Sequence, residues 1–497
     1  MPRHVPSGTA AKTVRTLIGT RADQQGWGVL GGLDRERRLG VAIQTPSPSL
    51  DPSVVDDLSS ALRGRLFRAG ESGYDEARKV FNAMIDRRPD VIVRPADADD
   101  IRRAVTFARE NDLPVSIKGG GHNVAGNAVG ARGLMLDCSG MKNVQVDAER
   151  RVAVAGAGAL LADLDVATQA YGLATPLGVV SVTGIAGLTL GGGIGWLNGK
   201  HGLACDNVLA ADVVTSDGRQ LTVSPDQHAD LYWAIRGGGG NFGVVTSFTY
   251  RLHPVGPVLA GAISFPAERT REVLRVYPEF AASCPDELSM SASLGCDASG
   301  RPVFGVGVCW SGQHDEAELA LRPLRDLGPD VDMVVPTDYV VLQSADDAGF
   351  PLGQHHYWKS SFFTDFTADA IDILLQYAIE MPSAASGIAM QQIHGVAARV
   401  DPAATAFPHR RSQSELLILA QWSDPAETER NVGWARAFFE AMQPFAAGGV
   451  YVNDLGQEGE ARVRAAYGAN YDRLAAVKAT YDPMNLFRSN QNVRPIA

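Results

Sequence analysis

Three glycine-rich segments and one histidine are the residues of this sequence best suited to hold a phosphate-bearing ligand. The segments are residues 118–126, 184–199 and 237–243, and His122 directly follows three consecutive glycines. Glycine lets a backbone approach a ligand without a Cβ in the way, and successive N–H groups in such loops bind anions. Three such loops within about 125 residues indicate one extended ligand that carries a pyrophosphate.

The common nucleotide-binding patterns are present but stand in the wrong context. Residues 26–31 and 238–243 both match G-x-G-x-x-G. Neither follows a strand and opens a helix, which dinucleotide binding at a helix N-terminus requires. Gly199-Lys200 lacks the preceding glycine of a P-loop and is followed by His201. The phosphate-bearing ligand therefore needs another type of fold.

Composition narrows the class of protein. The chain has 497 residues, 45% hydrophobic and 20% charged, with a formal net charge of −11, so we expect a multidomain globular enzyme rather than a nucleic-acid binder. Five cysteines without CxxC spacing argue against a disulfide framework and a structural zinc site. No apolar run approaches the ~20 residues of a membrane helix. We predict a cytoplasmic protein with no bound metal and no membrane partner, and the oligomeric state stays open.

The elements that must position these residues change character along the chain. A strand–helix–strand unit leads into His122. Its strands lie at 91–93 and 115–117, and its helix has Ile101, Ala104, Val105 and Ala108 on one face. After about residue 254 glycine becomes scarcer, and alternating strands stand between longer helices. That pattern is typical of an α+β domain whose antiparallel sheet is covered by helices on one face.

At these residues the chain resembles a known family, the berberine-bridge-like branch of the FAD-linked oxidases, which share the vanillyl-alcohol-oxidase (PCMH-type) FAD-binding fold. The resemblance runs from about residue 90 to the C-terminus and rests on the order and spacing of several short motifs. These motifs lie at residues 94–95, 118–123, 183–195, 201–207, 230–236, 241–245, 481–487 and 490–492.

The resemblance implies a domain order and a cofactor. We expect an N-terminal extension of uncertain order (1–50), an FAD-binding domain (51–254), an inserted substrate domain (255–448), and a C-terminal segment (449–497) that completes the FAD domain. His122 matches the histidine that the family bonds to the flavin 8α-methyl carbon. A loop histidine that only hydrogen-bonds a phosphate is the alternative. Many members add a cysteine tether before the Gly-Ile-x-Gly segment, but residues 178–183 contain none, so we predict a single tether.

The resemblance also assigns further positions to flavin binding. They are Lys118, Gly119, Gly120, Gly121, His122, Asn123, Gly126, Val182, Thr183, Gly184, Gly187, Gly191, Gly192, Gly195, Asn241, Gly243, Val244, Val245, Asn490 and Asn492.

The candidate catalytic residues come from two places. Tyr451 and Asn453 match the family's Tyr-x-Asn segment, and Tyr451 is the first choice for the group that accepts the substrate proton. Many members have an aromatic residue next, where this chain has Asp454. Alternation places Tyr357 with Lys359, and Gln392 with His394, on common strand faces, so Tyr357 and Gln392 are candidates on the substrate sheet. Adjacent strand residues point to opposite faces, which argues against a metal site at His355-His356.

The predicted function is that of an FAD-dependent oxidoreductase. It takes a hydride from a small organic alcohol, amine, sugar or phenol, and O2 reoxidises the flavin to give H2O2. Two alternatives remain open at this point. One is a dehydrogenase with a different electron acceptor, such as a quinone. The other is a flavoprotein that binds a drug-like aromatic and confers resistance, which Tyr357, Trp358 and Phe362 would equally suit.

Overall fold

The computed structural model describes residues 50–496 except Ala298 and Ser412, so the predicted extension at 1–50 lies outside the described residues apart from its last one. The helices are α1 (Pro52–Ala61), α2 (Tyr74–Ala77), α3 (Ala98–Glu110), α4 (Leu161–Gln169), α5 (Ile185–Leu190), α6 (Asn198–His201), α7 (Ala229–Ala234), α8 (Thr270–Ser283), α9 (Ala317–Arg325), α10 (Tyr339–Gln343), α11 (Ala368–Ile379), α12 (Gly395–Arg399), α13 (Thr428–Met442), α14 (Glu460–Tyr467) and α15 (Tyr471–Tyr481).

The strands fall into four sheets. They are β1 (Arg65–Arg68), β2 (Val91–Arg94), β3 (Val115–Lys118), β4 (Leu134–Asp137), β5 (Val144–Asp147), β6 (Val152–Gly156), β7 (Leu173–Ala174), β8 (Val208–Val214), β9 (Gln220–Val223), β10 (Val244–Arg251), β11 (His253–Pro254), β12 (Val258–Phe265), β13 (Leu288–Cys296), β14 (Pro302–Trp310), β15 (Val331–Asp332), β16 (Val335–Thr337), β17 (His355–Phe363), β18 (Gly387–Ile393) and β19 (Gln413–Trp422).

The first sheet has the order β1-β2-β4-β3. Its strands β2, β4 and β3 are parallel, and α3 is the crossover from β2 to β3. The side chain of Asp97 caps α3 by accepting a hydrogen bond from the N–H of Asp100, which is the usual capping chemistry at a helix start. The face predicted to be apolar (101, 104, 105 and 108) is fully buried. This unit delivers the chain from β3 directly to His122.

The second sheet has the order β5-β6-β10-β8-β9 and is antiparallel. Its hydrophobic core includes residues of β6, β8 and β10 together with residues between 450 and 493. A buried Lys478 fastens the C-terminal segment by donating to the carbonyl oxygens of Asn241 (2.6 Å) and Phe487 (2.9 Å). The C-terminal segment therefore completes the unit that residues 91–251 begin.

Residues 258–422, which lie in sequence between the second sheet and the C-terminal segment, contain an eight-stranded antiparallel sheet. Its strand order is β15-β12-β14-β13-β18-β19-β17, and β16 pairs with β12. Residues of α8, α9, α11 and α13 form one core with one face of this sheet. The opposite face turns toward the glycine-rich segments. An inserted antiparallel sheet covered by helices, together with the two preceding sheets, makes an α+β fold.

Among the described residues, no helix is long and apolar enough to cross a membrane.

Candidate active site

A large cavity runs between the glycine-rich segments and the uncovered face of the eight-stranded sheet. Of the predicted flavin-binding residues, those that line it are Gly119, Gly120, Gly121, His122, Asn123, Thr183, Gly184, Gly187, Gly243, Val244, Val245 and Asn490. The lining also includes Val115, Ile117 and Phe487 of the flavin-binding part, and Trp358 and Leu417 of the substrate domain. All three glycine-rich segments therefore meet at one site.

The glycines leave room that side chains would remove. A Cβ on Gly120 would lie 2.4 Å from the backbone nitrogen of Gly184, so these two loops touch backbone to backbone. Among the described residues, a Cβ on Gly187 would meet no atom outside its helix within 4 Å, because Gly187 faces the cavity. Bare backbone of this kind suits close approach of a ligand with many polar groups.

His122 stands in the cavity wall with its ring held on one side by Phe81. The two rings stack with centroids 4.0 Å apart and an interplanar angle of 14°. The Nε2 atom of His122 is buried and has no hydrogen-bond partner within the part of the chain that the structure describes. Burial lowers the pKa of His122 to about 4, so the imidazole is neutral at physiological pH. A neutral imidazole whose Nε2 is not engaged in a hydrogen bond is a nucleophile available for bond formation.

The uncovered face of the sheet supplies the wall opposite the glycines. Trp358 on β17, Gln391 on β18 and Leu417 on β19 line the cavity there, and Phe350 joins them. The rings of Phe350 and Trp358 meet edge to face, with centroids 6.2 Å apart. These four residues form an aromatic and apolar chamber in which Gln391 supplies an amide.

Tyr357 and Gln392 do not line this cavity, which corrects the sequence-based prediction. Tyr357 lies on the helix-covered face, where its hydroxyl accepts a hydrogen bond from Nε of Arg436 on α13 (3.0 Å). Gln392 is buried on that same face, away from the chamber. The period-2 alternation was right, but the pattern does not say which face carries the helices. Their neighbours Trp358 and Gln391 occupy the chamber instead.

Tyr451 and Asn453 lie in the cavity wall between the glycine segments and the sheet. The Tyr451 hydroxyl oxygen accepts hydrogen bonds from the N–H groups of Gly193 (3.0 Å) and Ile194 (3.3 Å) and from Nδ2 of Asn453 (2.8 Å). Burial, reinforced by Asp454, raises the pKa of Tyr451 above its ordinary value. This phenol stays protonated and its lone pairs are occupied, so it is a poor proton acceptor.

Two carboxyl groups face each other beside Tyr451. Glu415 on β19 is fully buried, and Asp454 is 9% exposed and lines the cavity. Burial raises the pKa of Asp454 to about 6, partly offset by its hydrogen bond with Glu415. Burial and the charge of Asp454 raise the pKa of Glu415 well above its ordinary value. At neutral pH the pair therefore holds one proton, with Glu415 donating to the Asp454 carboxylate.

Sequence reasoning missed Glu415 and treated Asp454 only as a departure from the family pattern. A signal for Glu415 exists, because it is the one charged residue in the ten-residue strand β19, which is buried throughout. A carboxylate in such a strand is costly unless it is paired or protonated. Phe81 was also missed, since an isolated phenylalanine carries no chemical signal.

Several predicted flavin-binding residues lie away from the cavity wall. Lys118 donates to the carbonyl oxygen of Ala77 (2.8 Å), and Val182 points to solvent at 40% exposure. Asn241 joins its own glycine segment to the C-terminal segment, donating to Gly238 (2.9 Å) and Gln491 (3.2 Å) and accepting from Val493 (2.9 Å). The others that do not line the cavity are Gly126, Gly191, Gly192, Gly195 and Asn492. Tight packing of these loops explains the glycines, since a Cβ on Gly191, Gly192 or Gly195 would collide with neighbours.

Comparison with known proteins identifies the family. Residues 89–224 match the FAD binding domain model, and residues 450–494 match the model described as berberine and berberine like. An FAD-linked oxidoreductase of Dictyostelium discoideum is 31% identical over 449 residues, covering 89% of this chain and 97% of that protein. The chain belongs to the berberine-like FAD-linked oxidoreductases.

Two solved structures of this family show how far the fold agrees. The 6-hydroxy-D-nicotine oxidase of Arthrobacter nicotinovorans is similar with a TM-score of 0.82 and 29% identity, covering 88% of this chain and 98% of that one. Glucooligosaccharide oxidase of Acremonium strictum is similar with a TM-score of 0.81 and 24% identity, covering 90% and 100%. The predicted PCMH-type α+β fold, built from both ends of the chain around an inserted substrate domain, is confirmed, and this berberine-like protein is an FAD-linked oxidoreductase.

The cavity of this berberine-like oxidoreductase suits FAD. Its glycine walls present bare backbone to a pyrophosphate, and Gly187 leaves a space that a Cβ would fill. Asn490 donates to the carbonyl oxygens of Gly240 (2.9 Å) and Phe487 (3.0 Å), while its Oδ1 is buried without a partner. Together with Nε2 of His122, this leaves unpartnered polar atoms on the same glycine-lined site, as a bound polar cofactor requires.

Proposed function

We propose that this oxidoreductase is an oxidase that carries FAD on His122 through a single covalent bond and oxidises a small neutral or cationic organic molecule. The substrate classes are alcohols, amines, sugars and phenols, with O2 as the final electron acceptor and H2O2 as the product. The observation that carries the proposal is the shared cavity. One wall holds the glycines and a neutral His122, and the rest of the lining includes the aromatic chamber and Asp454 of the buried carboxyl pair.

The proposed tether rests on His122 and on what residues 178–183 lack. Gly178, Val179, Val180 and Thr183 line the cavity, and none of them offers a sulfur for a second bond. The related glucooligosaccharide oxidase is described with a 6-S-cysteinyl, 8α-N1-histidyl FAD, which supports a histidyl bond in this family. We therefore propose the histidyl bond alone for this chain.

The chamber sets the charge and shape of the proposed substrate. Of the described side chains that line the cavity, none is a lysine or arginine, whereas Asp454 carries a carboxyl group. An anionic substrate would lie in an apolar site without a counter-charge, which costs free energy. The edge-to-face pair of Phe350 and Trp358 favours a substrate that has a ring or an apolar face. The relative that oxidises 6-hydroxy-D-nicotine supports a substrate of this kind.

When bound, FAD supplies the hydride acceptor, and the residues of the chain supply proton transfer and orientation. We propose that Asp454, rather than Tyr451, accepts the proton from the substrate O–H or N–H group. With a pKa of about 6 it is ionised at pH 7 but still basic enough to accept a proton. Glu415 donates a hydrogen bond to Asp454 and holds it in place. Tyr451, whose oxygen already accepts three hydrogen bonds, has its own proton free to orient the substrate.

The test is to purify the protein, record its visible spectrum and precipitate it with acid. Yellow colour retained in the washed pellet of the wild type, and released to the supernatant by His122→Ala, is the expected result. Aromatic amines, alcohols, phenols and sugars are then screened for peroxide formation, and stopped-flow reoxidation in air distinguishes an oxidase from a dehydrogenase. A protein that is colourless and cannot be reconstituted with FAD would overturn the proposal.

A further inference from the structure

Phe81 lies between two histidine rings that belong to different parts of the fold. One face of Phe81 stacks on His122, with centroids 4.0 Å apart. It also stacks on His356 of β17, with centroids 4.2 Å apart and an interplanar angle of 23°. Phe81 itself is 1% exposed and His356 is equally buried. The result is a buried stack that connects the glycine segment with the substrate sheet.

The backbone around Phe81 is fastened to the same two parts. The N–H of Phe81 donates to the carbonyl oxygen of Gly121, the residue before His122 (2.9 Å). The side-chain amide of Asn82 donates to the carbonyl oxygens of Val124 (2.8 Å) and His356 (2.9 Å), and its Oδ1 accepts from the N–H of His356 (3.1 Å). Residues 81–82 thus fix the loop on both sides of His122 against β17.

This arrangement constrains the His122 ring without using either of its nitrogens. A parallel ring at 4.0 Å limits rotation of the imidazole about its side-chain torsions, because any large rotation would drive it into Phe81. The same burial keeps the ring neutral. Asp347 is the charged group that opposes this lowering of the pKa of His122, and it does so weakly. On the other side of Phe81, burial and the neighbouring His122 and His355 lower the pKa of His356 to about 3.

We propose that Phe81, fixed by Asn82, is a positioning residue for covalent flavin attachment that holds the His122 ring in the orientation required for bond formation. This inference rests on the proposed histidyl tether. In that step a bond forms between an imidazole nitrogen and the 8α carbon, replacing one C–H bond of the methyl group and the N–H bond of the imidazole. The flavin takes up the electron pair and two protons, and O2 reoxidises it to give H2O2. A fixed orientation accelerates such a step because the rotational entropy of the imidazole ring is already lost before the bond forms.

The experiment measures attachment separately from binding and from activity. Protein is produced under riboflavin limitation, mixed with FAD in air, and quenched in acid at intervals to follow the flavin that remains in the pellet. Phe81→Leu keeps most of the apolar volume but removes the stacked ring, whereas Phe81→Tyr keeps the ring. The matched control is Phe67→Leu, a buried phenylalanine of β1 that contacts neither histidine and packs in the same local cluster as Tyr74 and Val129.

We expect attachment in Phe81→Leu to be at least roughly tenfold slower than in the wild type, with Phe81→Tyr and Phe67→Leu close to the wild-type rate. The affinity for FAD is measured in the His122→Ala background with and without Phe81→Leu, and it should agree within about threefold. If Phe81→Leu attaches flavin at the wild-type rate, the positioning role is wrong. It is also wrong if, in the His122→Ala background, Phe81→Leu weakens FAD binding by the same factor by which it slows attachment. If instead the wild type releases all its flavin in acid, the tether itself is wrong and this inference falls with it.

Discussion

Glu415 of the substrate sheet and Asp454 of the C-terminal segment form a buried carboxyl pair, of which Asp454 lines the flavin cavity. Because burial penalises two adjacent charges, the pair retains a proton well above the pH at which isolated carboxyl groups ionise. The two residues come from the two structural parts that meet at the cavity. This pair therefore assembles only when the substrate sheet docks on the flavin-binding part.

Asp454→Asn is expected to slow flavin reduction by the substrate by about 10²- to 10⁴-fold, the usual contribution of a positioned general base. FAD content and spectrum should be unchanged, because the glycine segments and His122 are untouched. Anaerobic stopped-flow measurement at 450 nm gives the rate. Glu460→Gln removes a surface carboxylate a few residues downstream that does not line the cavity, and it should behave as the wild type. An unchanged rate in Asp454→Asn would exclude Asp454 as the proton acceptor.

The pH dependence of flavin reduction should depend on whether residue 415 donates a hydrogen bond to Asp454. In the wild type, the rate should rise with pH through about 6 as Asp454 loses its proton. Glu415→Gln keeps a hydrogen-bond donor toward Asp454, so its profile should stay close to that of the wild type. Glu415→Leu removes a hydrogen bond that lowers the pKa of Asp454, so in this variant the rate should begin to rise at a higher pH. Identical profiles in Glu415→Leu and the wild type would contradict the pairing.

The same pair should make stability depend on pH. The pKa of Asp454 is raised from 3.8 to about 6 on folding, so its favourable contribution is complete below pH 4 and is lost as pH rises through 6. Asp454→Asn should therefore gain stability relative to the wild type between pH 5 and pH 8, on the order of 1 kcal/mol or more. Chemical unfolding of both proteins at a series of pH values measures this difference. A constant difference across that range would contradict the raised pKa.

Substitutions at two adjacent aromatic residues of β17 test which face of the substrate sheet contacts the substrate. Trp358→Ala should raise KM by roughly tenfold or more, because it removes a large contact surface from the chamber. Tyr357→Phe lies on the helix-covered face, where it loses only its hydrogen bond from Arg436, and KM should not change. Steady-state peroxide formation gives both values. The opposite ranking of the two variants would mean that the other face binds the substrate.

The space that the glycine-rich segments leave for FAD is tested by adding one methyl group to each of two helical glycines, one at the cavity and one away from it. Gly187→Ala adds its methyl group where the cavity is open and where no described atom outside its own helix lies within 4 Å. The protein should fold at least as well as the wild type, since alanine is favoured over glycine in helices by about 0.5–1 kcal/mol, but it should bind FAD at least roughly tenfold more weakly. Gly433→Ala in α13 also meets no neighbour within 4 Å and lies away from the cavity. It should gain similar stability with unchanged FAD binding, measured by flavin content and thermal unfolding.

Much of the flavin-binding part could be predicted from local patterns. The strand–helix–strand unit before His122, the three glycine-rich segments and the alternation in the substrate-sheet strands all leave short-range signatures in the sequence. The cavity lining agrees with them for His122, Thr183, Gly187 and Asn490, among others. Glycines such as Gly192 and Gly195 carry the same signature but pack against Phe407 and Leu177, since close packing and ligand approach both require a missing side chain.

The sequence by itself determined which residues share a strand face, where bare backbone is available and which histidine follows the first glycine segment. Only the tertiary structure decided that Trp358 and Gln391, rather than Tyr357 and Gln392, face the chamber, because alternation has a period of two and carries no information about which face the helices cover. It also decided the partners of His122 and Asp454. Phe81 and Glu415 are each about 40 residues distant from them in sequence, and stacking, burial and proton sharing arise only when the folded chain brings such residues together.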